Sequence, residues 1–228
     1  RHSMRRKGHD ILLRANLDHP YHPRQRRSRQ SQGGLLNTAK ENNITLMNEM
    51  GFTVNEYGTN YLSALEMAKK PNKAKGKKVV TLTKPKKYAG EDPMVLTDGA
   101  LGGSSFYANW LGYEGNNMEV VVDLGKIQPV SSISMAFLQV TNHVVFFPAK
   151  VQYLGSMDNE NFVVLGTLPN PKPLNKKSKI NDIQYFDLDF EPKNLRYIKV
   201  IAPNTPTPYW HHAAGLPSWV FADEIIID

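Results

Sequence analysis

The residues of this chain best suited to chemistry lie in one short run, Thr207-Pro208-Tyr209-Trp210-His211-His212. Adjacent imidazoles can act as acid, base or metal ligand. No second imidazole or carboxylate follows at zincin spacing, so a zinc site is not the favoured reading. Elsewhere the carboxylates alternate with apolar side chains, as Asp187 and Asp189 do between Phe186, Leu188 and Phe190, which fits the solvated face of a strand better than a catalytic pair. No Gly-x-Ser-x-Gly elbow, phosphate-cradling glycine loop or His-Glu-x-x-His helix occurs, and no catalytic site is expected in this chain. Aromatic side chains are more informative. Trp110, Tyr113, Tyr209, Trp210 and Trp219 stand in or beside stretches rich in Gly, Asn and Pro, accompanied by Tyr107 and His143. A sugar ring offers C–H groups to an aromatic face and hydroxyls to polar neighbours, so such residues suit saccharide binding. Alternatively they plug the ends of a folded core. The plug is preferred for Trp110 and Trp219, each beside a strand, whereas both readings stay open for Tyr209, Trp210 and His211.

These residues have to be positioned by something. After Lys87 short apolar runs recur between Gly, Pro, Asn and Asp, the pattern of an all-β sandwich or barrel. Strands are predicted over Glu119–Leu124, Ser131–Leu138, Val144–Leu154, Phe162–Leu168, Ile183–Phe190, Arg196–Ala202 and Trp219–Ile227. The runs Glu119–Leu124 and Val220–Ile227 are nearly all apolar, as central strands covered on both faces require.

Upstream the texture differs. From Arg1 to Gly34 large apolar side chains are sparse, and a stretch such as RQRRSRQSQ buries too little to offset its ordering entropy. A helix is predicted from Asn60 to Lys70, ended by Pro71. Nine lysines fall between Lys69 and Lys87, interrupted by the short strand-like run Val79 to Leu82. The net charge of +7 divides unevenly: residues 1–88 hold 19 Lys and Arg against 6 Asp and Glu, residues 89–228 hold 9 against 15. The expected organisation is a basic, partly helical or disordered segment over 1–68, a Lys/Pro-rich linker over 69–88, and a β-domain over 89–228 whose charge is −6. Nucleic-acid binding by the basic segment is set aside because aromatic interleaving is sparse and no nucleic-acid fold signature appears. No apolar run reaches the roughly 18 to 20 residues of a membrane span. Without cysteine there is no disulfide. Since residue 1 is Arg, the chain is expected to belong to a longer protein.

The runs Leu96-Thr97-Asp98-Gly99, Trp110-Leu111-Gly112-Tyr113, Met118 to Gly125, Phe146-Phe147-Pro148-Ala149-Lys150-Val151, Ser156-x-Asp158, Leu195 to Val200 and Phe221-Ala222-Asp223-Glu224-Ile225 resemble, in order, the F5/8 type C (discoidin-like) domain. They are most similar to the variant at the C-terminus of secreted or periplasmic β-N-acetylhexosaminidase-type glycoside hydrolases, especially of Bacteroidetes. The resemblance implies a galactose-binding-like jelly-roll β-sandwich akin to carbohydrate-binding family 32. It also implies one structural calcium, with Asp98 and Glu224 as carboxylate ligands and backbone oxygens near Val95 and Gly103. Ala100 stands where a second Asp or Asn is common, and Gly103 where Ser or Thr is common. Val144 replaces a tryptophan of the pattern. The implied sugar contacts are Tyr209, Trp210 and His211, faced by Asn142 and His143. The expected function is that of a non-catalytic accessory module of a larger secreted, periplasmic or cell-surface hydrolase. Its expected ligand is a glycan ending in galactose or an N-acetylhexosamine, and it contacts the upstream catalytic domain. The alternative is a purely structural sandwich with no ligand.

Overall fold

The computed structural model describes residues 70–86, 92–103, 109–172, 174 and 181–228, with the backbone of 11–12 and 46–47. The basic segment, the helix predicted from Asn60 and the aromatic Tyr107 otherwise lie outside the described residues. The chain divides into two units, Arg1–Met67 and Ala68–Asp228. In the first, β1 (Ile11–Leu12) and β2 (Leu46–Met47) pair in parallel, Ile11 opposite Leu46.

The second unit is all-β apart from two 3-10 turns among its described residues. Its strands are β3 (Lys78–Thr81), β4 (Leu111–Glu114), β5 (Met118–Gln139), β6 (Lys150–Ser156), β7 (Val163–Pro169), β8 (Asp182–Ala202) and β9 (Trp219–Ile227), in the order β4-β9-β5-β8-β6-β7 with β3 also on β5. All these pairings are antiparallel. The long strands β5 and β8 run together through register shifts between Asp123 and Gln128 and between Val130 and Ser132. They change partners on the way: β3 lies on Val120–Asp123 and β6 on Tyr197–Ile201, whereas β9 lies on Ile133–Leu138. Irregularities of this kind let strands bend and pass from one layer to another. Val120, Val122 and Leu124 from one half of β5 therefore meet Ile133, Met135 and Phe137 from the other half in a single core, joined by Val151, Tyr153, Phe186, Ile198 and Val200. Phe137 packs edge-on against Phe186 at 5.4 Å, and the buried Tyr153 hydroxyl donates to Phe186 O at 2.7 Å.

The apolar runs Met135–Leu138 in β5 and Trp219–Ala222 in β9 have their explanation in a second cluster on the other face, where Ala136, Leu138, Val140 and Phe221 meet Trp110. Trp110 is fully buried and donates its indole N–H to Gly103 O at 3.0 Å. It fills the space where a Cβ on Gly102 would come within 2.4 Å of the ring, so the plug reading holds for Trp110.

Two expectations about elements need correcting. The run Val144–Leu154 is not one strand: Thr141–His143 winds as a 3-10 turn, Val144 takes a left-handed φ of 55°, and β6 begins only at Lys150. The stretch 69–88 is also more than a linker. Lys78–Thr81 is a strand paired with β5, and Ala74 and Val79 are buried in the main core. Its lysines disguise it: Lys73, Lys75 and Lys78 flank the buried Ala74 and Val79 but are not themselves buried.

Candidate functional site

The aromatic residues of the 203–218 connection are carried by a braced loop. Thr205 Oγ1 donates to Phe147 O at 2.7 Å, Thr207 Oγ1 to Leu216 O at 2.8 Å, and Ser218 Oγ to Thr205 O at 2.6 Å. Within it the backbone turns through His211 N–H to Pro208 O and Ala214 N–H to His211 O. Tyr209 projects with 93% of its surface exposed, and Trp210 is half-buried, tilted against His211 at 5.9 Å. His212 is exposed, its ring 4.2 Å from that of His211.

His211 itself is buried. Its Nε2 lies 2.6 Å from Thr141 O and its Nδ1 accepts the Ala213 N–H at 3.1 Å. A carbonyl can only accept and a backbone N–H can only donate, so the ring is neutral with its proton on Nε2. Phe146 packs edge-on against it at 5.8 Å. This one side chain ties the Tyr209–Trp210 loop to the 3-10 turn that presents Asn142 and His143, both exposed. The five residues expected at a sugar site thus belong to one region, but His211 positions it instead of facing solvent. Val144, where the related pattern has tryptophan, closes the turn. Its N–H bonds to Thr141 O and its carbonyl accepts the Trp219 N–H.

The residues expected around calcium also come together, in a different manner. Asp223 and Glu224 fall at a register shift where Met135 pairs with Ile225 but Phe137 with Ala222, leaving one extra residue on β9. Both carboxylates are buried, and both accept from the loop after the 3-10 turn Pro93–Leu96: Gly102 N–H to Asp223 Oδ2 at 2.6 Å, Gly99 N–H to Glu224 Oε2 at 3.0 Å. Asn72 Nδ2 donates to Glu224 Oε1 at 2.9 Å, and the Ala100 N–H to Asp98 Oδ1 at 2.7 Å. Burial, reinforced by the Asp98 charge, pushes the Glu224 carboxyl up to about 7, and burial holds Asp223 well above the usual range. Asp98 is raised by desolvation and by Asp92. Calcium prefers six to eight converging oxygens. Here the Gly103 carbonyl serves the Trp110 indole, the Glu224 oxygens serve two N–H groups, and Asp223 Oδ1, which has no hydrogen-bond partner, is sealed from solvent. Among the described residues no group of three or more His, Asp or Glu gathers to hold a metal ion; by themselves these residues do not fit a calcium cage.

The second unit is thus an antiparallel β-fold that carries exposed aromatic and polar residues on the loops beside the start of β9. Residues 80–220 match the F5/8 type C domain, and the chain belongs to that family. No curated protein matches it. Among solved structures it is similar to a chitosan-binding module of a chitosanase/glucanase from Paenibacillus sp. IK-5, at 16% identity and a TM-score of 0.45, covering 70% of this chain and 99% of that one. It is similar to the lectin domain of lectinolysin solved with Lewis B antigen, at 17% identity, a TM-score of 0.46 and coverage of 69% and 96%. A fucose-binding module of Streptococcus pneumoniae aligns at 18% identity and a TM-score of 0.42, covering 69% and 94%.

Proposed function

We propose that the second unit is a non-catalytic carbohydrate-binding module, accessory to a larger glycoside hydrolase of the hexosaminidase type and working outside the cell or in the periplasm. The ligand is a glycan ending in galactose or an N-acetylhexosamine. The observation that carries this reading is the exposed Tyr209 and half-buried Trp210 on a braced loop, pinned by His211 beside the exposed Asn142 and His143. Aromatic faces next to polar side chains match the two surfaces of a sugar ring. Loops already held by hydrogen bonds lose little entropy when a ligand arrives. One shallow site supplies a dissociation constant on the order of millimolar, about 4 kcal/mol, which an enzyme uses through avidity.

Titration calorimetry of the 228-residue chain against galactose, N-acetylglucosamine and N-acetylgalactosamine glycans tests the proposal. Trp210→Ala or Tyr209→Ala is expected to weaken binding at least about tenfold, close to 1.4 kcal/mol, with the melting temperature unchanged. A folded protein that binds none of these glycans would refute it. The structural alternative draws on the burial of His211, whose nitrogens both serve the fold; on that reading Trp210→Ala lowers the melting temperature and no glycan binds.

A further inference from the structure

We propose that the free edge of β7 is a self-association surface, on which a second copy of this chain lays its own β7 antiparallel to the first. Among the described residues β7 pairs with β6 alone, so one side of its backbone is left for another strand. Such an edge invites pairing unless charge or a covering element blocks it. Three other stretches also have one side without a strand partner among the described residues: β3, β4 and the first half of β8. Each carries charge. β3 begins at Lys78 with Lys77 before it, β4 ends on Glu114 and receives the Lys86 N–H on Gly112 O, and the first half of β8 holds Asp182, Asp187 and Asp189. Residues 161–171, which contain all of β7, include no Asp, Glu, Lys or Arg. A strand that meets its own copy sets like charge against like, so among these edges only β7 pairs with itself without repulsion.

The face beside this edge is apolar as well. Val79, Val120, Val122, Tyr153, Ile198 and Val200 turn into the main core, so the residues alternating with them face outward. Strand register sets five outward residues in one row: Val80 opposite Val121, Val121 opposite Lys199, Lys199 opposite Leu154, and Leu154 opposite Val164. Four of the five are aliphatic, and Lys199 carries its ammonium over the Phe162 ring at 4.7 Å. Val121 is buried although it belongs to neither core cluster. At the β7 end the covering stops: Val164 is 57% exposed and Val163 54%. A second copy related by a two-fold axis covers these valines with the same valines of its own edge and continues the row into its own sheet.

Sedimentation of the full chain from low-micromolar to near-millimolar concentration tests the proposal, whether or not the Tyr209–Trp210 loop binds glycan. One seven-residue strand buries little surface, so the wild type is expected to pass from one chain to two in the upper part of that range. Val164→Lys and Thr167→Lys each put a cation on the edge. Both are expected to raise the dissociation constant at least about tenfold, because like charges then face each other. Val80→Lys, at the far end of the row, is expected to dimerise as the wild type does. A wild type that stays monomeric at the highest concentration overturns the proposal. So does a dimer that persists unweakened in either edge variant whose melt shows it folded, since that dimer forms elsewhere, and so does a dimer abolished by Val80→Lys. If Val164→Lys fails to fold, Thr167→Lys decides.

Discussion

His211 shows how far a residue type alone can be read. In the sequence an imidazole between Trp210 and His212 suits a ligand contact; in the fold its two nitrogens face Thr141 O and the Ala213 N–H. Side-chain direction was not legible, because it depends on a turn formed 70 residues earlier. Replacing His211 by Ala removes one of the two hydrogen bonds to Thr141 O, which keeps the Val144 N–H, and leaves the Ala213 N–H without its acceptor; each lost bond costs about 1 kcal/mol. His211→Ala is therefore expected to lower the urea midpoint, whereas His212→Ala leaves it unchanged. Glu224 supports a pH prediction. Its folded value of about 7 lies above its ordinary 4.5, so the native state keeps a proton that the unfolded chain releases. Its contribution is complete below the ordinary value and is lost as pH rises through 7, by up to about 3 kcal/mol. Asp98 and Asp223 shift in the same direction. Urea unfolding at pH 5 and pH 8 should show lower stability at pH 8, and Glu224→Gln should narrow the difference.

At the level of the strand, β9 was legible to the residue, since Trp219–Ile227 is rich in β-branched and aromatic residues. Its bulge was not. Val220, Ala222, Ile225 and Ile227 share the main core while Phe221 faces the second cluster, so the alternation slips by one residue at Asp223–Glu224 and both acids turn to the loop side. An apolar run with an acidic pair inside it looks like one strand with charges misplaced, and only the partner's register reveals the extra residue. Deleting Glu224 closes the bulge and leaves Ile225 and Ile227 inward, so a cooperative melt is expected to survive. Deleting Ala222 moves Asp223 toward the main core and is expected to abolish it; circular dichroism melting of the two variants decides. In β5 and β8 the opposite error arose: Gly125 and Pro129, and Pro192 on the partner, punctuate runs that the structure joins into single bent strands.

Across the whole molecule, the charge partition acquires a different meaning. Drawn at residue 88, the boundary leaves an acidic domain; drawn at Ala68, where the compact unit begins, it encloses 18 Lys and Arg and 15 Asp and Glu, a net of +3. The lysines of the supposed linker face the acids of the sandwich. Lys73 lies 3.4 Å from Asp228, Lys86 2.8 Å from Glu114, and Lys78 pairs across strands with Asp123. Each exposed pair contributes at most about 1 kcal/mol, but burial of Ala74 and Val79 and the bonds of Asn72 add to them. A protein beginning at Ala89 lacks all of these and is expected to be less stable by several kcal/mol, on the order of one buried valine plus a few hydrogen bonds, than one beginning at Ala68. Comparing their urea midpoints checks it. The all-β class and family were legible from runs between Leu96 and Ile225; the upstream limit was legible only in part, since Val79 to Leu82 reads as strand-like but its lysine-rich surroundings have the composition of a solvated connector.

The pairing of Lys73 with Ile227 and Asp228 also ties the segment before β3 to the end of β9, so these two stretches, far apart in sequence, share one end of the fold. The Tyr209–Trp210 loop precedes the opposite end of β9, a strand of nine residues spanning roughly 30 Å at about 3.3 Å per residue. A tether placed at Asp228 to immobilise the protein on a glycan-presenting surface therefore stands roughly that distance from the loop.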